Sequence, residues 1–292
     1  MIVAAAAYPI ERISSPEHYR RKVGAMCEAA AAQGARILLL PEYGPVELTA
    51  LHLAGEVREQ LQALQQALPL YRETHAHVAR RLGVVIVAGS VPERLENGRY
   101  RNRAYVFGPR GDVGVQDKLH LTRWENDIWD IEAGREICVF DAFGHRFGVN
   151  VCLDVELGAQ ARRQAEEGAE LILVPSCTDT LHGWNRVRVG ALARALENQC
   201  FVAMASTVGT AEWSDALDCN VGAGGIFAPM EEGFPPDGVL ASGALNEPGW
   251  VYADLDFARL QTAREGGVVQ TFRQGSSARR LLEAPVAAVA LA

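Results

Sequence analysis

The 292-residue sequence predicts an α/β protein, and three features of it carry that expectation. Short β-type apolar runs alternate with helical stretches along most of the chain, the pattern of helices packed on a sheet. Where helical patterning lapses, over 100–141, turn pairs divide the chain instead, as in antiparallel hairpins. Hydrophobic residues make up 49% and charged residues 22%, proportions that suit a buried core and fit neither disorder nor membrane-spanning runs.

The elements follow in order. Ile2–Ala7 reads as a strand, and Pro16, tolerated in a first helical turn, opens a helix whose alanine-rich body Val23–Ala32 ends at Gly34. Arg36–Leu40 is a buried strand, because Ile37-Leu38-Leu39-Leu40 has no polar face. Val57–Leu82 has helical spacing with a break expected near Pro69, and Val84–Ala88 returns to strand. Asn97-Gly98 and Arg110-Gly111 set off the strands Tyr100–Phe107 and Val113–Lys118. Alternation resumes with strand Phe147–Cys152, helix Ala159–Glu167, strand Leu171–Pro175, helix Trp184–Gln199 and strand Phe201–Ala205. Gly224–Phe227 and Trp250–Asp254 are the last strands, and from Ala263 the periodicity fades. With no repeat, linker or low-complexity break, residues 1–264 read as one domain, and 265–292 as a C-terminal arm that packs on a partner subunit or a neighbouring face.

Charge and cysteine usage exclude several roles. Lysine plus arginine number 28 and aspartate plus glutamate 36, a formal charge of −8 with no basic block, so nucleic acid is not an expected partner. The apolar stretch Met1–Tyr8 is too short for a signal peptide and lacks a basic start, which points to the cytoplasm and to no membrane attachment. The six cysteines (Cys27, Cys138, Cys152, Cys177, Cys200, Cys219) show no C-x-x-C pair and no histidine at metal spacing. Neither a disulfide framework nor a metal site is expected, and most of these thiols read as small buried hydrophobes.

Three strands each end in a reactive side chain: Leu38-Leu39-Leu40-Pro41 delivers Glu42, Val113–Asp117 delivers Lys118, and Gly148–Val151 delivers Cys152. In open α/β sheets ligands bind beyond the carboxyl ends of strands, so the three can share one crevice. Taken singly, each has a plainer reading, a packing thiol or a solvated rim charge. Together they suffice for covalent acyl chemistry without a cofactor. Cys152 is the nucleophile, Glu42 removes its proton, and Lys118 with a backbone N–H just after Cys152 stabilises the charge that develops on the attacked group.

The order and surroundings of these residues resemble one family. From Pro41-Glu42 through Asp117-Lys118 to Val151-Cys152-Leu153-Asp154, the sequence resembles the nitrilase superfamily of carbon-nitrogen hydrolases, over roughly residues 1–256. Asn102 within Tyr100–Tyr105, Lys118-Leu119-His120-Leu121 followed by Glu125, the strand Gly168–Ser176 and the helix Arg194–Gln199 add to the likeness. The resemblance implies a four-layer αββα sandwich, pairing into homodimers or larger homo-oligomers, and no cofactor. It also implies Glu42 as general base, Lys118 as oxyanion stabiliser and Cys152 as nucleophile, with Glu125 orienting Lys118 or the substrate amine. Tyr43, Trp184, Leu153 and Asp154 are the candidate substrate-binding residues. Leu153 stands where many amidase-type members have tyrosine, and Gly158-Ala159 where they have Pro-Glu, whereas the Asp154 match favours amides over nitriles. His120 reads as positioning the lysine loop through a hydrogen bond, and Cys177 as a packing neighbour of Cys152.

The activity this implies is hydrolysis of a small-molecule amide-type substrate, a linear amide or N-carbamoyl compound, through a thioester on Cys152. Alternatives are nitrile hydrolysis by the same three residues, acyl transfer to an amine, and a catalytically silent assembly partner.

Overall fold

Side-chain alternation on the first strand sets the layering. In β1 (Ile2–Pro9), Val3 and Ala5 face one core while Ala4, Ala6 and Tyr8 face another, as the two-residue period of a strand requires. A strand buried on both faces needs a layer on each. The computed structural model describes residues 1–52 and 56–290; positions 291 and 292 of the expected arm lie outside the described residues.

After β1 come α1 (Pro16–Ala32), β2 (Ile37–Glu42), α2 (Val57–Leu82), β3 (Val85–Arg94), β4 (Tyr100–Phe107), β5 (Val113–Asp117) and α3 (Arg123–Asp127). Then follow β6 (Val139–Ala142), β7 (His145–Val149), α4 (Leu153–Glu156), α5 (Gly158–Glu166), β8 (Leu171–Ser176), α6 (Leu181–Asn198) and β9 (Phe201–Thr210). The chain closes with β10 (Cys219–Asn220), β11 (Gly225–Phe227), β12 (Val239–Ser242), β13 (Gly249–Asp254), α7 (Phe257–Gly266) and α8 (Thr271–Ala278).

The strands run in the order β5-β4-β3-β2-β1-β9-β8-β7-β6, with β13 antiparallel along β1 and β11 antiparallel along β9. β1 pairs with β2 over Val3–Ala5 but with β9 over Ala7–Pro9, so one continuous ladder turns the corner between two facing sheets. β2 and β3 lie against β8 across that gap. The inner core places Val3, Leu39 and Val87 of one sheet with Val149, Leu173 and Ala203 of the other. Outside the first sheet, Leu38, Leu40 and Ile86 meet Tyr19 and Val23 of α1 and Leu64 and Tyr71 of α2. Outside the second, Ile172, Val202 and Met204 pack with Val187, Ala191 and Ala195 of α6. The result is the expected four-layer αββα sandwich.

Local expectations fail in several places, and β6, β10, β12 and α3 are not among the expected elements at all. α2 runs unbroken through Pro69. The proline is on the exposed face, where water can solvate the carbonyl it leaves unpaired, while Leu64, Leu68 and Tyr71 on either side are buried and hold the axis. The strand expected over Phe147–Cys152 ends at Val149, and Cys152 is in a turn. α6 begins three residues before Trp184, because the Thr180 hydroxyl caps it by accepting the Gly183 N–H.

Residues 264 and 265 both lie within α7, and α8 packs on α6 of its own chain: the Thr271 hydroxyl donates to the Leu196 carbonyl, and the Phe272 ring lies between the guanidiniums of Arg162 and Arg264, 4.8 and 4.7 Å from its centroid. Among the described residues no helix is long and apolar enough to cross a membrane.

Candidate active site

Each reactive side chain emerges where its strand runs out, and in each case the local chain explains why. Glu42 is the last residue of β2, opposite Ser90 of β3. Close approach there depends on Gly89, whose φ is +72° and whose Cβ, if present, would lie 1.9 Å from the Pro41 carbonyl oxygen. Lys118 follows β5 directly; its N–H donates to the Asn102 carbonyl and its own carbonyl accepts from Gly134, both at 2.8 Å. Cys152 has φ 49° and ψ −105°, a conformation an L-residue adopts only when its surroundings impose it. They do so through Cys152 N–H donated to Pro175 (2.9 Å), Asp154 N–H to Val151 (3.0 Å) and Val155 N–H to Cys152 (3.0 Å).

The carboxylates and the lysine meet in a sealed cluster, with Glu42, Lys118, Glu125 and Asn102 each only 1% exposed. Lys118 Nζ is 2.8 Å from Glu42 Oε1 and 2.9 and 2.8 Å from the two oxygens of Glu125. The two hydrogens of Asn102 Nδ2 are shared by Glu42 Oε1 (2.8 Å), Glu125 Oε1 (2.9 Å) and the Tyr43 hydroxyl (2.8 Å). Tyr43 in turn donates to Glu125 Oε1. The second oxygen of Glu125 accepts the Thr122 N–H and hydroxyl, and Cys177 N–H donates to Glu42 Oε2 at 3.1 Å. Cys152 Sγ has the Cys177 carbonyl at 3.6 Å and the Glu42 carboxylate as an electrostatic neighbour.

The two carboxylates, sharing one ammonium, are driven apart. Burial raises the pKa of Glu42, the charge of Glu125 raises it further, and Lys118 offsets only part. Burial also acts upward on Glu125, but the charge of Lys118 and hydrogen bonds from Lys118, Tyr43 and Thr122 outweigh it and hold Glu125 below its ordinary value. Lys118 stays an ammonium: desolvation opposes the charge, and the two glutamates overcome that. Burial, then the Glu42 charge, pushes the Cys152 thiol well up, with Lys118 acting the other way. Chemically the arrangement is a protonated thiol beside a carboxylate of raised basicity and a fixed cation.

Of the sequence candidates, Glu42, Lys118, Glu125, Cys152 and Tyr43 come together here. Leu153 is half-buried and supplies the first N–H of α4. Trp184 is half-buried and its indole N–H is directed at the Ala223 carbonyl at 3.4 Å. Asp154 has no exposed surface, and both of its oxygens are occupied by protein donors, among them His120 Nδ1 at 2.9 Å. Asn102 is a central member that the candidate list lacked, although its segment carried part of the family likeness. Thr122 was legible too: Thr122-Arg123-Trp124-Glu125 is a capping-box sequence, and the Glu125 oxygen that caps α3 belongs to the carboxylate that holds Lys118. Cys177 contributes a backbone N–H, which no side-chain pattern announces.

Comparison with known proteins bears on the family. Residues 2–265 match the profile of the carbon-nitrogen hydrolases. A probable hydrolase of Bacillus subtilis, YhcX, is 29% identical over 266 residues; the match covers 91% of this chain and 52% of that protein, so the chain spans about half its length. The omega-amidase NIT2 of Danio rerio is 26% identical over 261 residues, covering 82% of this chain and 83% of that protein. Among solved structures, the NitN amidase of Nesterenkonia sp. AN1 superposes with a TM-score of 0.66 at 25% identity, covering 91% of this chain and 97% of that one. The fold of Saccharomyces cerevisiae Nit3, of the nitrilase superfamily, matches with a TM-score of 0.71 at 18% identity, covering 94% and 96%. A profile match over nearly the whole sandwich, together with these relatives, places the chain in the carbon-nitrogen hydrolase family.

Proposed function

We propose that this protein hydrolyses small linear amides or N-carbamoyl compounds through a thioester on Cys152. One observation carries the reading: a buried ammonium, Lys118, is held between two carboxylates of opposite pKa shift beside a thiol in a strained turn. Pairs of titratable groups pushed apart by their surroundings mark the acid–base assignment. Glu42, the more basic carboxylate, takes the proton of Cys152 as sulfur attacks the carbonyl carbon. The charge forming on oxygen is met by Lys118 and the Leu153 N–H. Glu42 then passes the proton to the amine nitrogen, the C–N bond breaks and the amine or ammonia leaves. Water attacks the thioester as Glu42 takes one of its protons; the acid departs, and the proton returns to sulfur. Glu125, whose pKa is held below its ordinary value, keeps Lys118 an ammonium and in place.

Support for amides as the class comes from the omega-amidase and amidase relatives. Leu153 and Trp184, both half-buried, are our candidates for the wall of the acyl site. Homo-oligomeric assembly and a cytoplasmic location belong to the same proposal; exposed Leu282 and Val286 of the C-terminal arm are side chains we expect a second copy to cover. The test is an ammonia-release screen over amides, nitriles and carbamoyl compounds, with Cys152→Ala as the blank. Turnover of amides with an acyl adduct on Cys152 is expected. Nitrile-only turnover, transfer to an added amine in preference to water, or activity surviving in the variant overturns the reading.

A further inference from the structure

Asp154, a fully buried carboxylate two residues after Cys152, has no task in the mechanism above. Its Oδ1 accepts His120 N–H at 2.8 Å, Leu119 N–H at 3.2 Å and His120 Nδ1 at 2.9 Å; its Oδ2 accepts Val151 N–H at 3.2 Å and Leu119 N–H at 3.3 Å. The bond to Val151 is local and would be explained by the turn alone. The bonds to Leu119 and His120 are not, since they reach 34 and 35 residues along the chain.

The two segments so joined are the ones that follow Lys118 and precede Cys152. They descend from β5 and β7, which stand near opposite ends of the strand order, so no ladder hydrogen bond relates them. A side-chain path through Glu42 and Cys177 also joins Lys118 to Cys152, but Asp154 ties the two backbones directly. Three backbone amides in hydrogen bonds to one carboxylate make a stiffer connection, because charge-assisted bonds are shorter and stronger than neutral ones. His120, whose side chain is 38% exposed, adds the fourth donor from the solvent side.

We propose that Asp154 is a positioning residue that fixes the gap between Lys118 and Cys152, with His120 completing its grip, and that it does not touch substrate. The inference rests on the reading of those two residues as the reacting pair. It replaces the substrate contact that the sequence suggested for Asp154.

The test compares wild type, Asp154→Asn, His120→Ala and His120→Asn on whichever amide wild type turns over fastest, with Cys152→Ala as blank. Asparagine presents an amide nitrogen near the position of histidine Nδ1, so His120→Asn is the rescue variant. Misplacing reacting groups by about 1 Å costs on the order of 100-fold, so kcat of Asp154→Asn should fall by about that much with KM nearly unchanged. His120→Ala should lose about tenfold in kcat and His120→Asn should recover most of it. Should Asp154→Asn fail to fold, the His120 pair decides. Wild-type kcat in Asp154→Asn and His120→Ala, a rise in KM alone, or a His120→Ala loss that His120→Asn does not recover overturns the proposal. If wild type hydrolyses nothing, the functional reading fails, and alkylation of Cys152 by iodoacetamide still tests the positioning: the rate should drop severalfold in Asp154→Asn and His120→Ala, and an unchanged rate refutes it.

Discussion

Glu42 and Glu125 have the same side chain, share Lys118 Nζ and Asn102 Nδ2, and differ in what else reaches them. Glu125 also receives Tyr43, the Thr122 N–H and the Thr122 hydroxyl, all of which favour its anion. Glu42 receives the Cys177 N–H and the Cys152 thiol, which favour its anion, but burial and the charge of the second carboxylate outweigh them and raise its pKa. Glu42→Gln, nearly isosteric but unable to accept a proton, should therefore lower kcat by about 100-fold or more with the fold intact, as measured by steady-state ammonia release. The same asymmetry sets the pH profile. Because burial raises the Glu42 pKa, the acid limb of kcat/KM should lie above the ordinary glutamate value, activity falling as pH drops through it and the base becomes protonated. A limb at the ordinary value, in a pH–rate profile, would remove Glu42 as the base. At this scale the sequence named Glu42, Lys118 and Cys152 but not the contacts of the side chains around them. Tyr43 reads as a pocket-lining ring beside Glu42, yet it is 7% exposed with its hydroxyl on Glu125, because its left-handed backbone, φ 58°, is specified by contacts and not by the residue's identity.

Elements were legible where local pattern and burial agree. Val57–Leu82 and Tyr100–Phe107 fall within the expected bounds, since a buried face repeats at the period of its element. Pro69 shows the opposite case: propensity predicts a break, and the buried residues on both sides overrule it. Replacing Pro69 with alanine should restore a helical hydrogen bond on an exposed face and stabilise the fold by about 1–3 kcal/mol, read from urea unfolding; destabilisation would mean the ring is needed for packing. Gly89 lies at the register shift between β3 and β4 and against the Pro41 carbonyl. Gly89→Ala should cost more than about 2 kcal/mol and lower kcat as well, because the displaced Pro41 precedes Glu42. Loss of stability with full activity in the folded fraction would sever that link. Cys152 is the boundary that sequence reading missed: Phe147, Val149 and Val151 keep the two-residue period of a strand up to the turn, whereas the ladder ends at Val149 and Asp154 N–H closes the turn onto the Val151 carbonyl.

For the whole molecule, one pH-dependent part of the stability comes from a buried histidine outside the Lys118 cluster. His75 of α2 is 1% exposed, its ring against Tyr19, Tyr71 and Phe107, with Nδ1 donating to the Tyr71 carbonyl at 2.8 Å. Burial lowers its pKa from 6.5 to about 4. The unfolded chain therefore takes up a proton that the fold refuses: the contribution is present above pH 6.5 and is lost as pH falls towards 4, roughly 3 kcal/mol in all. Urea unfolding across that interval should show a steeper loss in wild type than in His75→Gln, and equal slopes would discount the residue. Alternation of apolar runs determined the α/β class and most elements, because each such run reports its own burial at short range. The order of Glu42, Lys118 and Cys152 determined which chemistry to look for. Which groups meet was decided only by the fold, since the Lys118 and Cys152 loops leave nearly opposite ends of the strand order and approach because the ladder turns from β1 to β9. The unequal basicity of Glu42 and Glu125 was decided there as well, for burial and hydrogen-bond partners are properties of the assembled layers and of no single segment.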